Sequence, residues 1–254
     1  MDYPRFIHIY QIASSPVLDT KVVVEEINKI LPRCIIDVRP PFKYEEKMTE
    51  HAKISDIKQP FERQTNHKKD SKMMMTTTTT TISLYDGFVI QKMLAEIIPT
   101  AEISLAHIHI IFTSLFTGTF SENDWRYHAR AVICGTPSIV STTGIVEALA
   151  KPREFYLAQL FGGMAEDNDM LKKKFAGRFI DYDDEDKITA ASINYALQAI
   201  FFFITSGEPF CNNKDCRLFN AHWQEDLIRI IKKGTLCSRH RKLANNLSKA
   251  QPGI

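Results

Sequence analysis

Three cysteines and one histidine near the C-terminus have the types and spacings that suit a metal ion. Four residues lie between Cys211 and Cys216, two lie between Cys237 and His240, and twenty separate the two pairs. Paired short spacings let each loop present two ligands to one ion, and three thiolates with one imidazole complete a tetrahedral zinc shell. A shell closed by four protein ligands leaves no position for water or substrate. One structural zinc per chain is therefore expected, pinning a helix over about 223–233 against the loop after a long helix. The competing reading is three unrelated thiols and a surface histidine.

A second constellation is weaker. His107 and His109 bracket Ile108 in a β-patterned run, which sends both imidazoles to one face of a strand, as a metal pair requires. His128 and Glu147 are the residues available to complete such a site, while plain hydrogen-bonded or solvated strand histidines are the preferred reading. The run Ser141 to Glu147 places hydroxyls and a glycine at a strand-to-helix turn, where backbone amides receive anions, but it lacks the lysine of a phosphate loop and reads as an N-capped helix start. Lys151-Pro152-Arg153 reads as a proline-bounded helix start. After Asp226 no acidic residue occurs, whereas Arg229, Lys232, Lys233, Arg239, Arg241, Lys242 and Lys249 accumulate around the zinc pattern, so a basic module that binds nucleic acid is an alternative.

The elements that must hold these residues follow from composition and periodicity. At 254 residues the chain is long enough to bury a core without disulfides, and 44% hydrophobic with 24% charged residues excludes wholesale disorder, collagen and coiled coil. A net charge of +2 is too small to imply nucleic-acid or membrane partners by itself. The first ten residues lack a secretory pattern, and the longest apolar stretch, Ala199 to Ile204, is far shorter than the roughly 20 residues that cross a bilayer. Five cysteines, an odd number, suit a reducing compartment. A cytoplasmic location without membrane contact is expected.

A strand over 6–12, a helix capped by Asp19 and stopped by Pro32, and a strand over 34–38 form a parallel strand–helix–strand opening. Residues 39–82, with Pro40-Pro41 and the threonine run Thr76 to Thr81, read as an irregular insertion. A helix over 86–98, strands over 103–112, 127–134 and 138–142, and helices over 153–161, 167–175 and 188–205 follow. The whole chain is expected to be a single α/β domain with a zinc-binding subregion at 207–243 and a flexible tail at 244–254.

The C-terminal pattern resembles that of the archaemetzincins, zinc peptidases related to the metzincins. Cys211, Cys216 and Cys237 match three cysteines of that family's second zinc site, held there by C-x4-C and C-x2-C, and His240 stands where the family has its last cysteine. The resemblance implies a metzincin-like mixed sheet flanked by helices, with a zinc knuckle at the end. It also implies a catalytic motif HExxHxxGxxH running into the first cysteine, and counting back places its three histidines at Ile200, Ile204 and Phe210, its glutamate at Phe201 and its glycine at Gly207. Only the glycine is present. Hydrocarbon side chains offer no lone pair to zinc and no carboxylate to accept a proton from water. The expectation is a family member without peptidase activity, with a peptide or protein partner along an edge strand. The rival readings are a metal-dependent hydrolase relocated to His107 and His109 and the nucleic-acid module.

Overall fold

The opening segment folds as its periodicity requires. In the computed structural model, which describes residues 4–12, 18–41, 49–58, 81–161, 171 and 173–247, β1 (Phe6–Gln11), α1 (Thr20–Ile30) and β2 (Ile35–Val38) form a parallel strand–helix–strand unit. The Asp19 carboxylate accepts from the amides of Lys21 and Val22 at 2.9 and 3.3 Å, satisfying donors that the first helical turn leaves open. Val23 and Ile27 form the buried face of α1.

β5 (His107–Thr113) lies parallel on the other side of β1, followed by β9 (Ser138–Ser141), also parallel, and β8 (Val132–Ile133), antiparallel at the edge. The order β2-β1-β5-β9-β8 is the mixed sheet anticipated from the sequence. A second sheet has the order β3-β4-β6-β7, formed by β3 (Lys53–Lys58), β4 (Thr81–Asp86), β6 (Phe116–Ser121) and β7 (Arg126–Arg130). Further helices are α2 (Gly87–Ala95), α3 (Thr142–Glu147), α4 (Arg153–Phe161), α5 (Glu185–Ile204), α6 (Gln224–Lys233) and α7 (Ser238–Leu247), with a 3-10 turn at Thr100–Glu102.

Alternation along β1 and β5 divides the five-stranded sheet into two faces. Ile7, Ile9, Ile108 and Ile110 pack with Val23 and Ile27 of α1 and with Ile193, Leu197 and Ile200 of α5. Tyr10, Ile12 and Ile111 point the other way and pack with Ile90 and Leu94 of α2. α5 has the length and composition of a membrane span, yet 72% of its most apolar window is buried inside the protein. Two of its buried amides are each held at one end: Asn194 Oδ1 accepts from Arg217 Nε at 2.8 Å and Gln198 Nε2 donates to the Phe219 carbonyl at 3.1 Å, whereas Asn194 Nδ2, Gln198 Oε1 and Ser192 Oγ have no hydrogen-bond partner among the described residues. It is the core helix.

Several expectations are corrected. Residues 39–82 are not irregular throughout, because β3 pairs antiparallel with β4, where Ile57 faces Ile82. The repeated threonines masked a real alternation, Ile82 and Leu84 between polar neighbours, and Thr81 is its first residue. Thr76 to Thr80 lie outside the described residues. The run 103–112 begins as a strand only at His107, since upstream Ile103 and Leu105 find no partner and stay 59% and 66% exposed. The run 127–134 is two strands in different sheets, β7 and β8, divided at Ala131. β6, rich in threonine and glycine, carries no strong apolar alternation and was not anticipated. The tail expected at 244–254 is helical as far as Leu247, with Ala244 buried. Most of the helix expected over 167–175 lies outside the described residues.

Candidate metal centres

The C-terminus of α5 leads directly into the cysteine pattern. Gly207 adopts φ +109°, which disfavours any residue with a Cβ, and its amide donates to the Phe202 carbonyl at 2.8 Å to turn the chain out of the helix. The next residues form a tight knuckle in which the Cys211 amide donates to the Leu218 carbonyl at 2.8 Å, the Cys216 amide to the Asn213 carbonyl at 3.0 Å, and the Asn213 amide to Cys211 Sγ at 3.4 Å. α6 ends at Gly234, in the left-handed conformation at φ +59°, and returns the chain so that the Cys237 amide donates to Cys216 Sγ at 3.4 Å. His240 lies in the first turn of α7.

Cys211, Cys216, Cys237 and His240 are thereby gathered with their donor atoms within 4.8 Å of one another. Metal–sulfur bonds of about 2.3 Å at tetrahedral angles place two thiolates about 3.8 Å apart. Cys211 Sγ and Cys237 Sγ are 3.8 Å apart, Cys216 Sγ lies 3.6 Å from His240 Nδ1, and Cys237 Sγ lies 3.1 Å from the same nitrogen. Burial pushes the Cys216 thiol up to about 12. Burial alone would raise Cys237 too, but the His240 amide and the neighbouring thiols outweigh it and hold that thiol below its ordinary value. Burial lowers His240, keeping its imidazole neutral and its lone pair available. Sulfur and nitrogen donors at these separations fit zinc.

The positions counted back from Cys211 fit no metal. Ile200 and Phe201 are fully buried in the main core, Ile204 is half-buried, and Phe210 is 43% exposed. The Phe201 and His240 rings meet in a T-shaped contact with centroids 5.4 Å apart, so this hydrocarbon packs against a residue of the knuckle. A groove of about 340 Å³ opens beside it, lined by Ile204, Thr205, Glu208, Arg239, Lys242 and Leu243.

The second constellation is assembled differently from the expectation. His107 and His109 do share one face of β5, but His128 on β7 pairs with Asp124 at 2.9 Å and Glu147 on α3 lies 3.8 Å from Lys151, so neither joins them. Their places are taken by residues that sequence reasoning missed. Parallel register sets Asp37 of β2, His8 of β1 and His109 of β5 in one row across three strands. The 3-10 turn places Glu102 over that row, His8 Nε2 lying 3.7 Å from Glu102 Oε2. Arg39 Nη2 holds Glu102 Oε1 at 2.7 Å, and Tyr10 Oη contacts His109 Nδ1 at 3.0 Å. The only signal in the sequence was His8-Ile9-Tyr10, a polar alternation like that of His107-Ile108-His109.

The remaining motifs take ordinary roles. Ser141 Oγ accepts from the Gly144 amide at 2.8 Å as the N-cap of α3, and α4 starts at Arg153 as its proline suggested. In the basic segment, Arg229 pairs with Asp226 at 2.6 Å, and Lys233 lies 3.8 Å from Asp215.

Comparison with known proteins follows this geometry. Residues 3–247 match the model of the Probable metallopeptidase family (DUF6775). The fold is similar to that of a zinc-dependent peptidase from Methanocorpusculum labreanum, at 14% identity and a TM-score of 0.51, over 94% of this chain and 100% of that one. An archaemetzincin from Archaeoglobus fulgidus, crystallised with malonate, aligns at 10% identity and a TM-score of 0.44 over 94% of this chain and 99% of that one. No curated protein matches the sequence.

Proposed function

Because this chain belongs to the Probable metallopeptidase family (DUF6775), we propose that it is a member that keeps the fold and a structural zinc while lacking peptide hydrolysis at the position where archaemetzincins carry theirs. The observation that carries this reading is the replacement of every donor by hydrocarbon at Ile200, Phe201, Ile204 and Phe210, with the first two sealed in the core. One zinc held by Cys211, Cys216, Cys237 and His240 cross-links the end of α5 to the start of α7. Bound there, zinc neutralises the buried thiolates and contributes folding free energy. Arg217, next to Cys216, reaches Asn194 of α5 and Glu26 of α1, so the same knuckle ties the C-terminal segment to two core helices.

A peptide or protein is the partner that suits this fold, since the groove between α5 and α7 offers apolar walls from Ile204 and Leu243 beside the cations Arg239 and Lys242. A nucleic-acid role has less support, because Arg229 and Lys233 already face Asp226 and Asp215. The five cysteines form no disulfide with one another, which agrees with a reducing, cytoplasmic setting.

The test is an assay of zinc-loaded protein against a mixed peptide library, with and without a chelator, in parallel with thermal melting. The expected result is no chelator-sensitive cleavage together with a chelator-sensitive Tm. Cleavage that disappears on chelation and returns with zinc would overturn the reading.

A further inference from the structure

We propose that His8, His109 and Glu102 form a second metal site, for one divalent transition-metal ion of the zinc, cobalt or nickel type. It is separate from the cysteine knuckle and raises the count of bound ions from one to two. The three residues offer two imidazoles and one carboxylate with donor atoms within 4.8 Å of one another. Two nitrogen ligands and one oxygen suit borderline first-row ions rather than magnesium or calcium, which prefer oxygen alone.

Four observations point to a cation here. Glu102 Oε2 is buried and receives no hydrogen bond, although Oε1 of the same carboxylate is held by Arg39. An unmatched carboxylate oxygen is costly to bury, and it sits 3.7 Å from His8 Nε2, with space between them for a shared ligand. His8 Nδ1 lies 2.5 Å from Asp37 Oδ1 and 2.8 Å from Arg39 Nη2, and in the tautomer that donates Nδ1–H to Asp37 the lone pair of Nε2 is turned inward. A carboxylate behind a histidine is the arrangement that orients metal-binding imidazoles and makes them better donors. His109 is fully buried; the Glu102 carbonyl accepts from its Nε2 at 3.2 Å, so the lone pair stays on Nδ1, which faces Tyr10 Oη at 3.0 Å and opens to an ion when that hydroxyl turns away.

Charge favours a dication over none. Asp37 and Glu102 supply two negative charges against one positive charge on Arg39, which leaves the pocket with a deficit of positive charge when the imidazoles are neutral. Without the ion, His8 Nε2 is bridged to His107 Nδ1 at 2.8 Å. Binding breaks that bridge and draws the 3-10 turn at Thr100–Glu102 onto the sheet through Glu102. With three protein ligands the coordination shell keeps a fourth position, which His107 or water can fill.

The probe is cobalt(II), added to metal-free full-length protein under reducing conditions, with metal content by mass spectrometry and absorption spectra read together. Thiolate sites give intense charge-transfer and red-region bands, whereas a nitrogen–oxygen site adds only weak bands at shorter wavelength. The expected result is two ions per chain in the wild type. In E102Q and H109A, one ion is expected with the thiolate bands unchanged. E102Q keeps the volume of the side chain, so it stands as the test if H109A does not fold. One ion per chain in the wild type with full thiolate bands would overturn the second site while leaving the knuckle intact. Absent thiolate bands with one weakly absorbing ion would instead overturn the knuckle and support this site.

Discussion

The two histidine-containing clusters are both buried, yet they are built in opposite ways. The cysteine knuckle comes from two short segments, each contributing a pair of ligands a few residues apart, and the sulfur atoms of Cys211 and Cys237 already stand at the 3.8 Å separation of a zinc tetrahedron. The row Asp37–His8–His109 comes from three strands and a turn, separated by up to a hundred residues, and its members are joined by hydrogen bonds and ion pairs to one another. On the proposed reading, the first cluster would be stabilised as a folded loop by its ion. The second has two carboxylates against one guanidinium and would use an ion to offset the remaining negative charge and satisfy one buried oxygen.

The largest expected effect breaks the first cluster alone. With zinc a thousandfold above its Kd, binding to the folded state contributes about 4 kcal/mol, so Cys216→Ser or chelation should lower Tm by roughly 10 °C. Scanning calorimetry with and without chelator measures this. A Tm that ignores both would remove the distinction between the clusters. Phe201→Ala comes next, since it empties a fully buried site against the His240 ring. A loss of about 3 kcal/mol is expected in urea unfolding, together with weaker zinc retention, whereas a loss without effect on zinc would show that the ring packs the core and does not support the knuckle.

Tyr10→Phe addresses the second cluster. It removes one hydrogen bond to buried His109, with an expected cost of about 1 kcal/mol, and should leave cobalt–thiolate bands untouched. Acid titration probes the anchoring of the knuckle to α1. Hydrogen bonding from Lys29 first, then the charges of Lys29 and Arg217, holds the Glu26 carboxyl below its ordinary 4.5 despite partial burial. A depressed carboxyl stabilises the fold fully above its unfolded value and loses that contribution as pH falls through the folded value. Stability should thus decline below about pH 4.5, and less steeply in Glu26→Gln; parallel curves for the two proteins would count against this linkage. The smallest effect is expected for Lys233→Ala, whose exposed ammonium lies 3.8 Å from exposed Asp215. Its Tm should be indistinguishable from the wild type, because solvent screens such pairs.

Legibility followed the distance over which each feature is encoded. The Asp19 cap, α4, the two short-spaced ligand pairs and the parallel opening were readable because their causes lie within a few residues. β3 and β4 were not, since threonine repeats carry no face until pairing gives them one. His8 and Glu102 were missed for the same reason, as nothing local marks either as a neighbour of His109.

The sequence by itself determined that three cysteines and a histidine with metal-ligand spacing stand near its C-terminal end and that hydrocarbon occupies the positions before them, because local spacing and side-chain chemistry decide both. Only the tertiary structure decided that His128 and Glu147 stand apart from His109 while Asp37, His8 and Glu102 join it. Parallel strands bring residues from distant segments into register, and that register depends on the packing of the whole sheet between its helices.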